Sequence, residues 1–401
     1  MLRIKSVYCI VTRVLLGTFL VGLGSSWASA QTPVELLKTL TISGSATDLS
    51  NLTEDILPGV PHNQFGGISA IEWTGRGNEF WVLPDRGPSD GAAHYQCRLH
   101  RVRLPIEPQG SQAVEILETI MLRDVRGVPF LGSSALFVST GGQPRRFDPE
   151  GLRLDRDGNF LISDEYGPHV IRFNRQGVMI EELPVPQSFT VENPSAHGQE
   201  EDTNNTHGRR SNRGMEGLAV TPDKQFVVGL MQSPLLQDAE LSSSGKPVGL
   251  NSRLWWFDQE TGKQRQVVYR QAHRDHKMHE ILAIDNNEFL VIEQDGKAGD
   301  AATYKKIVRI ELRGATEIAD DSRLPPGDLP ETIRPVSKTD FIDLLAPEFG
   351  IAGPSVPEKI EGLCWGPQLA DGRRLLVVAT DNDFKSNQDT VFYLFAISRL
   401  K

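Results

Sequence analysis

An all-β, propeller-like chain is predicted by three observations. One hairpin pattern occurs five times, further short alternating segments follow each copy, and a spare strand near the N-terminus is left to complete the last copy. The copies begin at Gly66 ("GGISAIEWTGRGNEFWVLPDRGP"), Asp148 ("DPEGLRLDRDGNFLISDEYGP"), Met215 ("MEGLAVTPDKQFVVGLMQSP"), His279 ("HEILAIDNNEFLVIEQDGK") and Ile360 ("IEGLCWGPQLADGRRLLVVATDND"). Each joins two runs of apolar and polar alternation, the signature of half-buried strands, through a turn such as "RDG". Their spacing, counted between equivalent positions, is 64 to 83 residues, the self-similarity expected of repeated supersecondary units.

A third strand follows in each unit, as "QCRLHRVRL", "HVIRFN", "SRLWWFD", "YKKIVRIEL" and "TVFYLFAIS". A fourth follows in three units, as "AVEILETIML", "VMIEELPV" and "QRQVVYR", with a weaker candidate near Thr339 to Leu345 in the fourth unit. The fifth unit runs out of chain, and "LLKTLTIS" can supply its outer strand, closing the ring and leaving no open sheet edge. The long intervals before the second and fifth copies leave room for an irregular sixth blade. An open solenoid or a two-sheet sandwich would accommodate the strands but not five similar hairpins. Segments 187–212 and 237–251, rich in Ser, Asn, Gly and charge, read as inserted loops.

Residues 1–30 carry Arg3, Lys5 and Arg13 ahead of "VLLGTFLVGLG" and the small-residue tail "SSWASA", which predicts a secretory signal peptide cut after Ala30. Residues 31–401 then form a single exported domain, periplasmic in a bacterium and secreted otherwise, with no later membrane span. The chain's formal charge is -10, and loss of the three leader cations makes it more acidic. That balance argues against nucleic-acid partners and fits cation binding. Cys97 and Cys364 remain after cleavage, in a compartment where a disulfide can form. No nucleophile elbow, P-loop or dinucleotide fingerprint is present, and Ser133 and Ser134 read as loop serines.

In an antiparallel hairpin the start of the first strand lies beside the end of the second. The first-strand position, aligned by residue type, holds Gly66, Glu150, Glu216, Glu280 and Glu361; the far ends hold Asp85, Asp164 with Glu165, Glu293 with Asp295, and Asp381 with Asp383. Glu150, Asp164, Glu216, Glu280 and Glu361 are therefore candidate metal ligands, with Ca²⁺ suited to so many hard oxygens. The equally open alternative is that each acid pins a loop through backbone N–H groups. Arg86, Arg213 and Lys297, on the same predicted rim, are candidates for binding an anionic substrate. "HRDHKMHE" places His273, His276 and His279 three apart in a loop entering a strand, and His279, with Glu150, Asp164 and Glu216, is a candidate catalytic residue.

"GGISAIEW", "DPEGLRLDRDGNFLISDEYGP", "NRGMEGLAV" and "KIEGLCWGP" together resemble the family known as esterase-like activity of phytase, over about Gly66 to Phe395. The resemblance implies an exported propeller with phosphoesterase or esterase activity. The "DDPA"-type motifs of calcium-dependent β-propeller phytases are absent, so their calcium sites do not transfer to these residues. The expectation is a monomeric, metal-assisted hydrolase of phosphate or other esters acting on a small anionic or ester substrate. A non-catalytic calcium-stabilised binding propeller and a sugar-lactonase-like hydrolase are the alternatives.

Overall fold

The computed structural model describes residues 34–107, 113–135 and 145–398, so the expected leader peptide lies outside the described residues. Five four-stranded antiparallel sheets follow one another along the chain as blades of a propeller. Their inner strands are Ile68–Trp73, Pro149–Leu154, Met215–Val220, Lys277–Ala283 and Lys359–Gln368. These inner strands pack against one another in cyclic order, the fifth returning to the first.

The local chemistry follows the hairpin reading. In blade two, Pro149–Leu154 turns into Phe160–Asp164 through a loop whose Asp155 Oδ1 accepts from Asp157 N at 2.9 Å and Asn159 N at 2.8 Å. Gly158 in that turn has φ +79°, which a residue without Cβ adopts freely. The last blade is completed by Val34–Ile42, which pairs antiparallel with Thr390–Ile397, Thr39 opposite Tyr393. First and last strands thus share one sheet, and the closure expected from "LLKTLTIS" is present.

The core sits between blades. One apolar cluster joins Ala70, Leu83 and Leu99 of blade one to Leu152, Ile162 and Ile171 of blade two. Equivalent clusters bridge blades two and three, three and four, four and five, and five and one. Middle strands such as "FLISD" and "FVVGLM" are therefore covered on both faces and read as nearly continuous apolar runs.

No sixth blade occurs among the described residues. The interval before blade two holds instead a short parallel pair, Phe130–Leu131 with Arg145–Arg146. In the other long interval, residues 312–336 leave blade four and return, with Ile318 N bonded to Gln266 O and Val336 N to Val268 O in blade three. The outer strand of blade four is Ser337–Asp343, at the weakest of the expected positions. The expected loop at 187–212 includes a 3-10 turn, Gln187–Phe189, and a short α-helix, Gly198–Asn204. Cys97 and Cys364 are buried free thiols in separate apolar clusters.

Arg153 fills the channel below its rim. Its guanidinium donates to Leu152 O at 2.6 Å, Ile281 O at 2.8 Å, Leu363 O at 3.1 Å and Ile71 O at 3.4 Å, reaching four inner strands. The rim above it is therefore a cavity with a polar floor.

Candidate metal centre at the channel mouth

Every inner strand carries one extra residue relative to its hairpin partner at its rim end. The irregularities fall between Ile68 and Ala70, Pro149 and Leu152, Met215 and Gly217, Met278 and Ile281, and Ile360 and Gly362. A bulge of this kind re-aims one side chain out of the sheet's alternation. Superposing the registers, Met215 opposite Met231 matches Met278 opposite Glu293, and Leu218 opposite Gly229 matches Ile281 opposite Val291. The five equivalent bulge residues are therefore Ser69, Glu150, Glu216, His279 and Glu361.

This alignment corrects two expectations. In blade one the equivalent position is Ser69 rather than Gly66, and in blade four it is His279 rather than Glu280. The residue after the bulge packs against the next inner strand, and a Cβ on Gly217 would lie 2.9 Å from Ile281 N. The recurring Glu-Gly pair thus has two physical reasons: a carboxylate turned to the mouth and a close backbone approach beside it. Glu280 occupies the glycine position; its Oε1 accepts from Leu218 N at 3.0 Å and Ile281 N at 2.9 Å, and its Oε2 lies 3.1 Å from Arg153. It pins two strands below the mouth.

The bulge residues converge. His279 Nδ1 lies 2.9 Å from Glu216 Oε1 and 3.1 Å from Glu361 Oε1, and Ser69 Oγ donates to Glu361 Oε2 at 3.2 Å. A second buried cluster, Asp148, Glu150 and Glu165, stands beside the first. Asp164 is not part of it: its two oxygens accept from Asp148 N at 2.7 Å and Gly167 N at 2.6 Å, so it holds the loop that presents Asp148 and Glu165. Asp148 and Glu165 were visible in the sequence as the acids flanking the second hairpin, but residue type alone did not separate the one that pins from those that face the mouth.

The electrostatics are those of an anion-rich pocket. Burial and neighbouring Glu361 push Glu216 up to about 8, burial and Glu216 push Glu165 up to about 7, and Glu150 is raised well above its ordinary value by burial and Glu216. Asp148 rises to about 6 through burial, despite Arg86. Burial acts on Glu361 too, but Lys359 and His279 outweigh it and hold that carboxylate below its usual range. Several donor atoms also lack partners: Glu216 Oε2, Glu165 Oε1, Gln232 Oε1 and His279 Nδ1 are buried without an aligned hydrogen bond. Buried polar atoms ordinarily find one. A set of carboxylates and an imidazole whose lone pairs point at common space is the donor arrangement that a divalent cation satisfies. The nitrogen donor extends the candidates from Ca²⁺, which prefers oxygen alone, to Zn²⁺ or Mn²⁺.

Cations ring this cavity of about 100 Å³. Arg86 donates from Nη1 to Asp148 Oδ2 at 2.5 Å and lies 3.7 Å from Glu165 Oε2, with Asn212 as a further acceptor. Arg213, Lys277 and Lys359 also line it; Lys359 Nζ lies 2.7 Å from Asp381 and 2.5 Å from Asp383. Burial and Arg213 lower Lys277 to about 8. Lys297, in contrast, is exposed and outside the lining. Of the three loop histidines, His276 pairs with Glu293 at 3.0 Å away from the mouth and His273 is exposed. Lys359 and Ser69 enter the site with little warning from the sequence, because only the bulge register and the blade packing bring them to the rim.

Comparison with known proteins agrees with the repeated Glu-Gly hairpins. The phytase-like family, described as esterase-like activity of phytase, matches residues 63–384. The chain belongs to this family. An uncharacterized secreted protein of Arthroderma benhamiae is 26% identical over 297 residues, covering 57% of this phytase-like chain and 56% of the relative. The chain thus spans little more than half the length of that curated relative. Among solved structures, the periplasmic gluconolactonase of Pseudomonas aeruginosa is 11% identical with a TM-score of 0.36, over 91% of this chain and 99% of its own. The tail fiber of Staphylococcus aureus phage P68 is 10% identical with a TM-score of 0.39, over 91% of this chain and 53% of its own.

Proposed function

We propose that this phytase-like propeller is a metal-assisted hydrolase of an anionic ester, a phosphate ester or a carboxylic ester. The observation that carries the reading is the pair of buried clusters, Glu216–His279–Glu361 and Asp148–Glu150–Glu165, whose members other than Asp148 line one cation-rimmed cavity. Glu216, His279 and Glu361 would hold the ion, with Glu150 completing the set from blade two. The chemistry such an ion would supply when bound is an acidified water and polarisation of the ester oxygen. Arg86 and Arg213 orient the anionic group by charge-assisted hydrogen bonds. Glu165, pushed up to about 7 by burial and Glu216, would give or take the proton that accompanies ester cleavage.

Export is supported by the leader composition of residues 1–30, and the A. benhamiae relative is named a secreted protein. Among the described residues no helix is long and apolar enough to cross a membrane. A second reading, a structural cation in a non-catalytic propeller, is favoured by the cavity's size, about 100 Å³, well below the several hundred typical of small-molecule sites. The two readings separate on turnover. Purified protein is assayed on phosphomonoesters, carboxylic esters and a sugar lactone, before and after chelation and return of Ca²⁺, Mn²⁺ or Zn²⁺. Chelator-sensitive turnover lost in Glu216→Gln supports the hydrolase; ion-dependent melting with no turnover of any substrate supports the structural cation.

A further inference from the structure

A groove of about 700 Å³ lies beside the mouth, and Arg213 lines both. Two excursions build it: the segment between blades two and three that contains the Gly198–Asn204 helix, and the ribbon of Glu240–Leu241 with Pro247–Val248 inside blade three. Its size is that of a small-molecule site, which the mouth alone is not. From this geometry we infer that the groove binds the non-reacting body of the substrate, a hydroxylated group bearing one negative charge, with Arg210 as its specificity-determining contact. The inference rests on the hydrolase reading for which end of the ester reacts, and on the groove itself for what binds there.

Three observations on the groove identify this class. Arg210 and Arg213 face it from one tight turn, Arg213 N donating to Arg210 O at 3.1 Å. Among the described residues neither guanidinium forms an ion pair with a carboxylate, and Arg210 Nε is buried without an acceptor. Their neighbour Arg209 is engaged by contrast, donating to Glu201 at 2.5 Å and Tyr166 O at 2.8 Å, so it anchors the turn from below. In an acidic chain, an arginine left with unused donors beside another arginine is an anion site in waiting.

The charge count of the groove sets the ligand's charge. Arg213 also lines the mouth, in company with Glu165 and Glu216, and Glu240 is taken by Arg274. That leaves Arg210 and Lys246 against Asp202, one positive charge in excess, which suits a monoanion and disfavours a polyphosphate. The remaining polar wall is neutral: Gln199, Thr203, Thr206 and Ser244 offer amide and hydroxyl groups that match a ligand's own hydroxyls. A sugar-acid body, a chain of hydroxyls ending in one carboxylate, has this pattern.

Gluconate is the probe, titrated calorimetrically into the purified chain with chelator present, so that binding is read without metal or turnover. Saturable gluconate binding is expected, at least about tenfold weaker in Arg210→Gln and similarly weak for the neutral polyol sorbitol. Thr203→Trp, on the exposed wall of the helix, is expected to block binding while leaving the melting temperature unchanged. Absence of gluconate binding to the unaltered chain, or equal affinity in Arg210→Gln, overturns the inference even if chelator-sensitive ester turnover is found. Gluconate binding that depends on Arg210 without any turnover upholds the groove and removes the hydrolase reading instead.

Discussion

Blades three and four carry the same bulge at the same height and differ in the residue that follows it. In blade three the bulge offers Glu216 to the mouth and the next position is Gly217, which lets the neighbouring strand approach. In blade four the bulge offers His279, and the glycine position is filled by Glu280, whose carboxylate binds the two strands together. Two glutamates that look equivalent in the sequence thus divide into one that faces the channel mouth and one that replaces a lost close contact. What the repeat preserves is backbone geometry; the chemistry is assigned residue by residue on top of it.

The largest expected effect tests the mouth side of this contrast. Glu216→Gln and His279→Ala should each lower chelator-sensitive turnover at least about 100-fold, by weakening the ion and the water it activates. Steady-state assays with cation titration measure this. In the metal-free protein Glu216→Gln should melt at the same or a higher temperature, since it removes one member of a self-repelling set.

The next effect belongs to blade four. Glu280→Ala should cost about 2–4 kcal/mol of unfolding free energy, because Leu218 N and Ile281 N would be buried without an acceptor. Denaturant titration reads it, with cation affinity per folded molecule preserved to within a few-fold. A Glu280→Ala protein that is fully stable but loses the cation would reverse the roles assigned to the two blades.

A smaller effect is the pH dependence of the metal-free fold. Glu216 and Glu165 have folded-state values near 8 and 7, above the ordinary 4.5 of an unfolded glutamate. Between those values the native state holds more protons than the unfolded one, so stability contributed by these groups is complete below about pH 4.5 and declines as pH rises toward 8. Melting curves in chelator should show this decline, and added divalent cation should restore most stability at the alkaline end. A melting temperature that rises across this window in chelator, and does so equally in Glu216→Gln, would contradict the picture of a strained carboxylate cluster. The smallest effect is Lys297→Ala, expected to change turnover less than about twofold because its exposed side chain lies outside the cavity, whereas Arg86→Ala should be severely impaired.

Much of the fold was legible because it rests on alternation. The hairpins at Asp148 and Met215 announce their strands through apolar residues at every second position, and "LLKTLTIS" could be assigned to the last blade because the fifth unit lacked an outer strand. The long excursion at 312–336 was legible only as extra length, since it docks on blade three through scattered contacts, among them backbone bonds from Ile318 N and Val336 N, the Asn251 and Arg253 side chains donating to its carbonyls, and a small apolar cluster around Ile318 and Leu324. The site was partly legible: Glu150, Glu216, His279 and Glu361 were singled out and do converge. Asp164 and Glu280 share their residue type and neighbourhood but turn their oxygens to backbone amides. Arg210 gave no signal at all, because an arginine lacking a partner is a property of its surroundings.

By itself the sequence determined five repeated hairpins, a strand able to close the ring and the concentration of acids at one rim, since strand alternation and repetition are properties of a linear string, while the long intervals left a sixth blade open. Only the tertiary structure decided which acid reaches the mouth and which pins a strand. A bulge shifts the direction of one side chain by a single position, and whether a carboxylate meets an amide, an arginine or another carboxylate depends on the neighbouring blade, far away in the chain.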